Sequence, residues 1–246
     1  MISKNATVLG ELKFLIVDDH DFMRRIIAEA LSSSGVGKIE RVSDGEEALS
    51  FLTKSNHRID FIISDFNMPR MNGLELLKEV RVGNAGVKRD TPVIMLSGFD
   101  DESLLVTAMR LDANGFITKP VSRQELLSRL DRIVMGEFTA KGVESYEEVV
   151  IPKIDNAFET LGEERTNANS TNSGGNVAEL NSHQPQEKVS IGDVVSNSVL
   201  SEDLISKNGI LVLEAGTTVS PGLVELLKET QKITGIETLT VFQSGS

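Results

Sequence analysis

The chain contains no cysteine and no tryptophan, a single tyrosine and only six prolines in 246 residues. Without cysteine it has no disulfide, no thiolate metal site and no cysteine nucleophile. Its three histidines, His20, His57 and His183, stand in no spacing that suits zinc. His20 reads as an exposed helix-start residue rather than a ligand, and the other two as solvated. Positive charge is short as well: 25 Lys and Arg against 37 Asp and Glu give a formal charge of -12. Arg24-Arg25 and Lys88-Arg89 are isolated pairs, so nucleic-acid binding is not expected. No apolar run approaches membrane-spanning length, and no charged-then-apolar start resembles a signal peptide. The expectation is no membrane association and a cytoplasmic location. What is present, 39% hydrophobic and 25% charged residues, suffices for a core in one or two domains.

Charge is concentrated at the ends of apolar runs. Phe61-Ile62-Ile63-Ser64 runs into Asp65, Lys13-Phe14-Leu15-Ile16-Val17 into Asp18-Asp19, and Gly115-Phe116-Ile117-Thr118 into Lys119-Pro120. Short apolar runs between turn signals read as buried strands. Charge at their C-terminal ends lies where α/β sheets bind ligands. Singly, Asp18-Asp19 read equally well as an acidic pair at a helix start and Lys119 as a surface lysine. Three carboxylates and one ammonium that one sheet edge can gather favour a site.

Helical patterns alternate with these strands. Phe22, Ile26, Ile27, Ala30 and Leu31 mark one face, and Gly35-Val36-Gly37 ends it before Ile39–Val42. Ser43 with Glu46 has capping-box spacing ahead of Ala48, Leu49 and Leu52. Leu74, Leu76, Leu77 and Val80 form a helix that dies at Gly83-Asn84-Ala85-Gly86, Pro92–Leu96 is a short strand, and a weaker helix runs from Asp101 to Leu111. Ser122 with Glu125 caps the helix of Leu126, Leu127, Leu130 and Ile133. Repeated βα units imply right-handed crossovers and a parallel sheet covered on both faces.

From Glu137 the pattern changes. The sequence predicts an extended piece before Pro152, then an amphipathic helix carrying Ile154, Phe158 and Leu161. Arg165 to Lys188 is rich in Asn, Ser, Thr, Gly and Gln and reads as a flexible linker. The tail regains order, with strand candidates at Ile191–Val195 and Val199-Leu200, an Asn208-Gly209 hairpin turn before Ile210–Leu213, a helix opened by Ser220-Pro221, and a strand at Thr238–Phe242. The expected division is an N-terminal extension (1–11), an α/β domain (12–136), a connecting segment with an amphipathic helix (137–165), a linker (166–187) and a small β-rich output or interaction domain with one helix (188–246).

Residues Leu12 to Gly136 resemble the receiver domain of two-component response regulators. The resemblance rests on Val17-Asp18-Asp19-His20, Ser64-Asp65-Phe66-Asn67-Met68-Pro69, Met71-Asn72-Gly73-Leu74, Met95-Leu96-Ser97-Gly98 and Phe116-Ile117-Thr118-Lys119-Pro120, in order and in register. It implies a doubly wound, flavodoxin-like sheet of five parallel strands. It also implies a phosphoryl group accepted on Asp65 from a sensor histidine kinase or phosphotransfer protein, with Mg2+ or Mn2+. The metal would be held by Asp19, Asp65 and the backbone carbonyl of Asn67, with Asp18 acting through water. Lys119 would pair with the acyl phosphate, and Ser97 would donate its hydroxyl to a phosphoryl oxygen. Phe116 holds the aromatic switch position, while Asn67 and Phe99 hold positions that influence phosphate lifetime. The face from Asp101 to Met135 would mediate dimerisation or contact with an output protein. In the tail, Asn208-Gly209, Glu214-Ala215-Gly216-Thr217 and Leu223 loosely resemble a small β-domain beside HD-GYP phosphodiesterase modules, which suggests cyclic-di-GMP signalling. The tail holds no adjacent His-Asp pair for such an activity, so the reading is a phosphoacceptor signalling protein and not an enzyme, beyond receiver-catalysed self-phosphorylation and dephosphorylation. The rival reading is a stand-alone receiver whose tail is a structural or dimerising appendage.

Overall fold

The structure, a computed structural model, describes residues 9–54, 58–98, 102–136, 138–152 and 185–242. The expectations for Phe99, for the Asp101 boundary, for His57 and His183, for the Ile154–Leu161 helix and for most of the linker lie outside these residues.

Five strands, β1 (Lys13–Val17), β2 (Lys38–Val42), β3 (Phe61–Asp65), β4 (Val93–Ser97) and β5 (Gly115–Thr118), form a parallel sheet in the order β2-β1-β3-β4-β5. Their side chains alternate between two apolar layers, as strand geometry requires. Phe14, Ile16, Ile63, Leu96 and Ile117 share one layer with Ile27 and Leu31 of α1 (Asp21–Ser32) and with Leu126 and Leu130 of α5 (Arg123–Met135). Leu15, Val17, Ile62, Met95 and Phe116 share the other with α2 (Gly45–Lys54), α3 (Gly73–Val82) and α4 (Glu102–Arg110). The doubly wound sheet implied by the motifs is thus the one observed.

Helix ends follow local chemistry, with one shift. Asn72 and Glu75 form a reciprocal capping box on α3, and the Ser122 hydroxyl accepts from Glu125 N at 3.1 Å on α5. On α2 the cap is Asp44 and not Ser43: Asp44 Oδ1 accepts from Glu47 N at 3.0 Å, while Glu47 takes the Ser43 amide at 2.8 Å. Two capping spacings sit side by side here, and the buried, Arg70-paired Asp44 occupies the inner one.

Beyond α5 the chain turns back onto the first domain. Val143–Glu147 is a short helix, α6, where an extended piece was expected. Tyr146 is fully buried, donates to Asp112 Oδ2 at 2.8 Å and accepts from Lys141 N at 2.7 Å. Beside it, the fully buried Arg81 donates to the carbonyls of Asp112, Arg89 and Thr91 and to the Asn114 side chain. The buried place open to Tyr146 and Val149 against α3 decides the local conformation. Lys78 Nζ then closes the segment, donating to the carbonyls of Glu147 and Val149 at 2.9 Å each.

The C-terminal unit holds β6 (Gln186–Ser190), β7 (Ser198–Val199), β8 (Leu204–Ile205), β9 (Leu211–Leu213), β10 (Thr218–Val219), α7 (Pro221–Thr234) and β11 (Thr238–Phe242). These strands pair as three antiparallel couples, β11-β6, β10-β7 and β8-β9. β6 begins at Gln186, so its first residues belong to a strand and not to the linker, because β11 supplies a partner from Phe242 back to Thr238. Ile191–Asp193 is a 3-10 turn, correcting the strand expected there. The hairpin turn lies as expected, but only Gly209 is left-handed (φ 81°), and Gly209 N donates to Ser206 O at 3.0 Å. That geometry is a longer loop with a glycine bulge rather than a two-residue Asn-Gly turn. Ser220 caps α7 ahead of Pro221, as expected.

This unit is seated on the first domain. Thr230 on α7 reaches Met109 Sδ on α4 at 3.8 Å, and Asn208 Nδ2 donates to Glu102 Oε2 at the start of α4. Arg129 and Arg132 on α5 both pair with Glu229 on α7, Arg132 at 2.9 Å. Leu105, Val106 and Met109 belong to the same apolar cluster as Val212, Leu213 and Leu227. Part of the α4–β5–α5 face expected to meet other molecules is therefore covered by the chain's own C-terminal unit.

Candidate functional site

The strand order brings the three predicted charged strand ends together. β1 and β3 are neighbours, with Val17 opposite Ser64, so Asp18 and Asp65 emerge side by side. β4 separates β3 from β5, and Lys119 follows β5. The lysine spans that gap: its Nζ lies 2.7 Å from Asp65 Oδ2 and 2.9 Å from Asp18 Oδ2. The Lys119–Pro120 peptide is cis, and Lys119 N donates to Ser97 O at 2.7 Å. Asp18 is fully buried, and its second oxygen accepts from the His20 amide at 2.8 Å. Asp19 lies further out, its side chain 33% exposed, with Oδ1 2.6 Å from His20 Nδ1.

Asp65 is 5% exposed, and burial raises its carboxyl above the ordinary carboxylate range. The ammonium of Lys119 opposes that rise without cancelling it, and Asp18 and Asp19 add to it. For Lys119, burial acts to lower its value, and the Asp65 and Asp18 carboxylates outweigh it, so the net shift is upward. The site is thus an ammonium held between two buried carboxylates with a third at the mouth.

Backbone approach sets the loop after β3. A Cβ on Gly73 would lie 2.0 Å from Asp65 O, so only glycine lets the start of α3 meet the end of β3 there. Gly73 N donates to Phe66 O at 3.1 Å, and Phe66 N to Leu96 O at 3.2 Å. Asn67 protrudes from this loop with an exposed side chain. Ser97 ends β4 half-buried, paired in register with Thr118. Phe116 is buried and stacks on Phe66, with ring centroids 6.1 Å apart and planes 8° from parallel. The aromatic at the expected switch position therefore touches the residue directly after Asp65.

Sequence reasoning missed three features. His20 sits at the start of α1, exposed as expected, but turns Nδ1 toward the carboxylates. Ligand atoms of Asp18, Asp19, His20 and Asp65 all lie within 4.8 Å of one another. Asp19 and His20 lie in the turn between β1 and α1, where sequence spacing does not set side-chain direction, so nothing in it announced this. The second is Arg70, whose guanidinium pairs with the buried Asp44 beside the loop after β3. The third is the set of residues joining the two units: Glu102, Arg129, Asn208 and Glu229.

Chemically, three carboxylates around one ammonium suit a hard divalent cation, which takes oxygen ligands and neutralises approaching anions. A buried carboxylate beside that charge can act as a nucleophile toward phosphorus. Among the described residues no helix is long and apolar enough to cross a membrane.

Comparison with known proteins agrees over this half of the chain. Residues 14–131 match the model of the response regulator receiver domain. A chemotaxis protein CheY homolog of Campylobacter jejuni is 37% identical over 131 residues, covering 53% of this chain and 98% of the relative. The chemotaxis protein CheY4 of Vibrio cholerae is 34% identical, covers 50% of this chain and 98% of its own, and gives a TM-score of 0.45. A CheX–CheY–BeF3–Mg2+ complex from Borrelia burgdorferi is 29% identical, covers 50% of this chain and 90% of its own, and gives a TM-score of 0.46. Five motifs, the sheet order and a relative matched almost end to end lead to one assignment: this chain belongs to the response regulator receiver family.

Proposed function

We propose that the chain is a two-component response regulator that accepts a phosphoryl group on Asp65 from a phosphohistidine donor and signals through the placement of its C-terminal unit. A sensor histidine kinase or a phosphotransfer protein supplies the donor. An Asp65 oxygen attacks phosphorus, the bond between phosphorus and the donor imidazole nitrogen breaks, and the imidazole leaves with the electron pair. Asp19, Asp65 and the Asn67 carbonyl, with Asp18 acting through water, would hold a divalent ion, Mg2+ or Mn2+, which would supply charge neutralisation between the two anions. Lys119 stays paired with the oxygens of the acyl phosphate, and the Ser97 hydroxyl donates to one of them. The observation that carries this reading is the buried Asp65 carboxylate held 2.7 Å from Lys119 Nζ, with Asp18 and Asp19 beside it.

Output follows from what covers α4 and α5. Phosphate captured at Ser97 and Lys119 pulls on the ends of β4 and β5, the latter carrying Phe116. Glu102 and Arg129, which grip Asn208 and Glu229, stand on the two helices flanking those elements. Phosphorylation thereby changes how firmly the C-terminal unit is held and how available it is to an output protein. The Asp101–Met135 face, once uncovered, is open to a second copy. Incubation with a small-molecule phosphodonor and Mg2+ tests the acceptor. Wild type becomes labelled, and Asp65→Asn or wild type in chelator does not. Undiminished labelling of the variant overturns the assignment. Output is tested by partner binding to the intact chain, to Asp65→Asn and to a chain ending at Gly136. Equal binding by all three supports the tail as a mere appendage instead.

A further inference from the structure

The imidazole of His20 is turned into the carboxylate cluster, although 70% of its side-chain surface is exposed and solvent is open to it. Its Nδ1 lies 2.6 Å from Asp19 Oδ1 and 3.6 Å from Asp18 Oδ1. Two local constraints produce this. The strand ends at Val17, and His20 takes the extended N-cap conformation (φ -88°, ψ 110°) that opens α1. The turn between them is pinned by the His20 amide on Asp18 Oδ1 and by Arg24 Nη1 on Asp18 O at 2.6 Å. Asp18 thus has one oxygen on Lys119 and the other on the His20 backbone, whereas Asp19 and the His20 ring face each other at the mouth.

We propose that His20 is a metal-ligating residue, making this a mixed carboxylate–imidazole site that favours first-row transition divalents such as Mn2+ over Mg2+. This deepens the receiver reading and rests on it. Mg2+ takes oxygen donors and keeps its waters, so a nitrogen donor adds little to its binding. Imidazole is a good donor to first-row transition divalents, so the same nitrogen raises their affinity. Asp19 and His20 form the outer pair, while Asp65 and Asp18 form the buried floor next to Lys119. A histidine serving only as a counter-charge to Asp19 has the opposite effect, since it competes with any cation.

The test uses the full chain, with Mn2+ and Mg2+ alone as probes and three proteins: wild type, His20→Ala and Asp19→Ala. Electron spin-echo spectroscopy of Mn2+-loaded wild type is expected to show nitrogen modulation from a directly bound imidazole, lost in His20→Ala. By titration, His20→Ala is expected to weaken Mn2+ at least about tenfold, since even the loss of a residue behind a ligand costs about 10–100-fold, and to leave Mg2+ unchanged. Absent nitrogen modulation in wild type overturns the proposal. So do unchanged affinities for both ions, a parallel loss of both, or a gain for both. Asp19→Ala separates this from the underlying reading, because that variant loses both ions if the receiver metal site is real. Intact metal binding in Asp19→Ala refutes that site itself. His20 is exposed at a helix start, so its replacement leaves the fold intact, checked by an unchanged melting temperature in chelator.

Discussion

The aliphatic stem of Arg129 lies across Gly115, where a Cβ would stand 2.8 Å from Arg129 Cδ, and so carries the guanidinium to Glu229 of the C-terminal unit. A glycine on the last strand of the receiver thus makes room for the arginine that holds the second unit. Burial lowers Arg129 to about 10, so it remains charged at neutral pH and needs its partner. Its Nε and Glu229 Oε2 are buried without a hydrogen-bond partner, so the pair is incompletely satisfied. Such a contact is costly to break from one side only.

Glu229→Ala is therefore expected to weaken the seating of the C-terminal unit by up to about 3–5 kcal/mol, the range for stripping a buried ion of its partner. Arg132, which also pairs with Glu229, loses a contact as well, but its exposure makes that loss small. Hydrogen exchange checks this. Amides of α7 should exchange faster in Glu229→Ala, while those of β1 and β3 stay as in wild type.

Gly115→Val tests the same relationship from the strand. The added side chain displaces Arg129, and exchange in α7 should rise as in Glu229→Ala. Wild-type protection in the valine variant shows that Arg129 is not the grip.

A phosphoryl mimic bound at Asp65 should change exchange most in α4, β5, α5 and α7. Phe116, stacked on Phe66, and Glu102, at the start of α4, lie on the two routes out of the site. Changes confined to α1 contradict the proposed output.

Stability should depend on Asp65 with a defined sign. Its carboxyl is raised in the folded protein, so the folded state holds that proton more tightly than the unfolded chain. Stability therefore falls as pH rises from the ordinary carboxylate value through the raised one, and stays lower above it. Asp65→Asn removes the penalty. It should melt higher than wild type at neutral pH in chelator. The difference should vanish in acid, and thermal melts across that window decide it.

Arg81→Leu should destabilise by about 3–5 kcal/mol, because backbone carbonyls gathered around a buried guanidinium lose their donors together. Tyr146→Phe removes one donor and one acceptor of the same region and should cost less, about 1–2 kcal/mol. Denaturant melts rank the two, and the reverse order contradicts the assignment of Arg81 as the anchor.

The receiver was legible because its signals are local and repeated. The carboxylates and the ammonium of the candidate site follow or end apolar runs, and the alternation of strands and helices dictates which edge gathers them. Arg81, Asp44, Arg129 and Glu102 were not legible because a charged residue in a helix or at its start reads as solvent-facing until its partners are known. Those partners lie far along the chain: Asp112 for Arg81, Arg70 for Asp44, Asn208 for Glu102 and Glu229 for Arg129. The short strands of the C-terminal unit were misjudged at Ile191–Asp193 and at Gln186 for a related reason. An antiparallel pair is decided by its distant partner, here β11, and not by the few residues of its own run.

A receiver face occupied by a segment of the same chain would, under the proposed output, also act as a threshold. A covalently attached competitor meets its site at an effective concentration on the order of millimolar, whatever the number of molecules in the cell. A partner that binds the bare α4–β5–α5 surface with micromolar affinity is thus outcompeted until the grip of Arg129 and Glu102 loosens. Each kcal/mol removed from that grip lowers the partner concentration needed by about fivefold. Under the proposed output, the molecule would respond to the difference between two affinities for one surface, and small changes at Asp65 would become large changes in who occupies it.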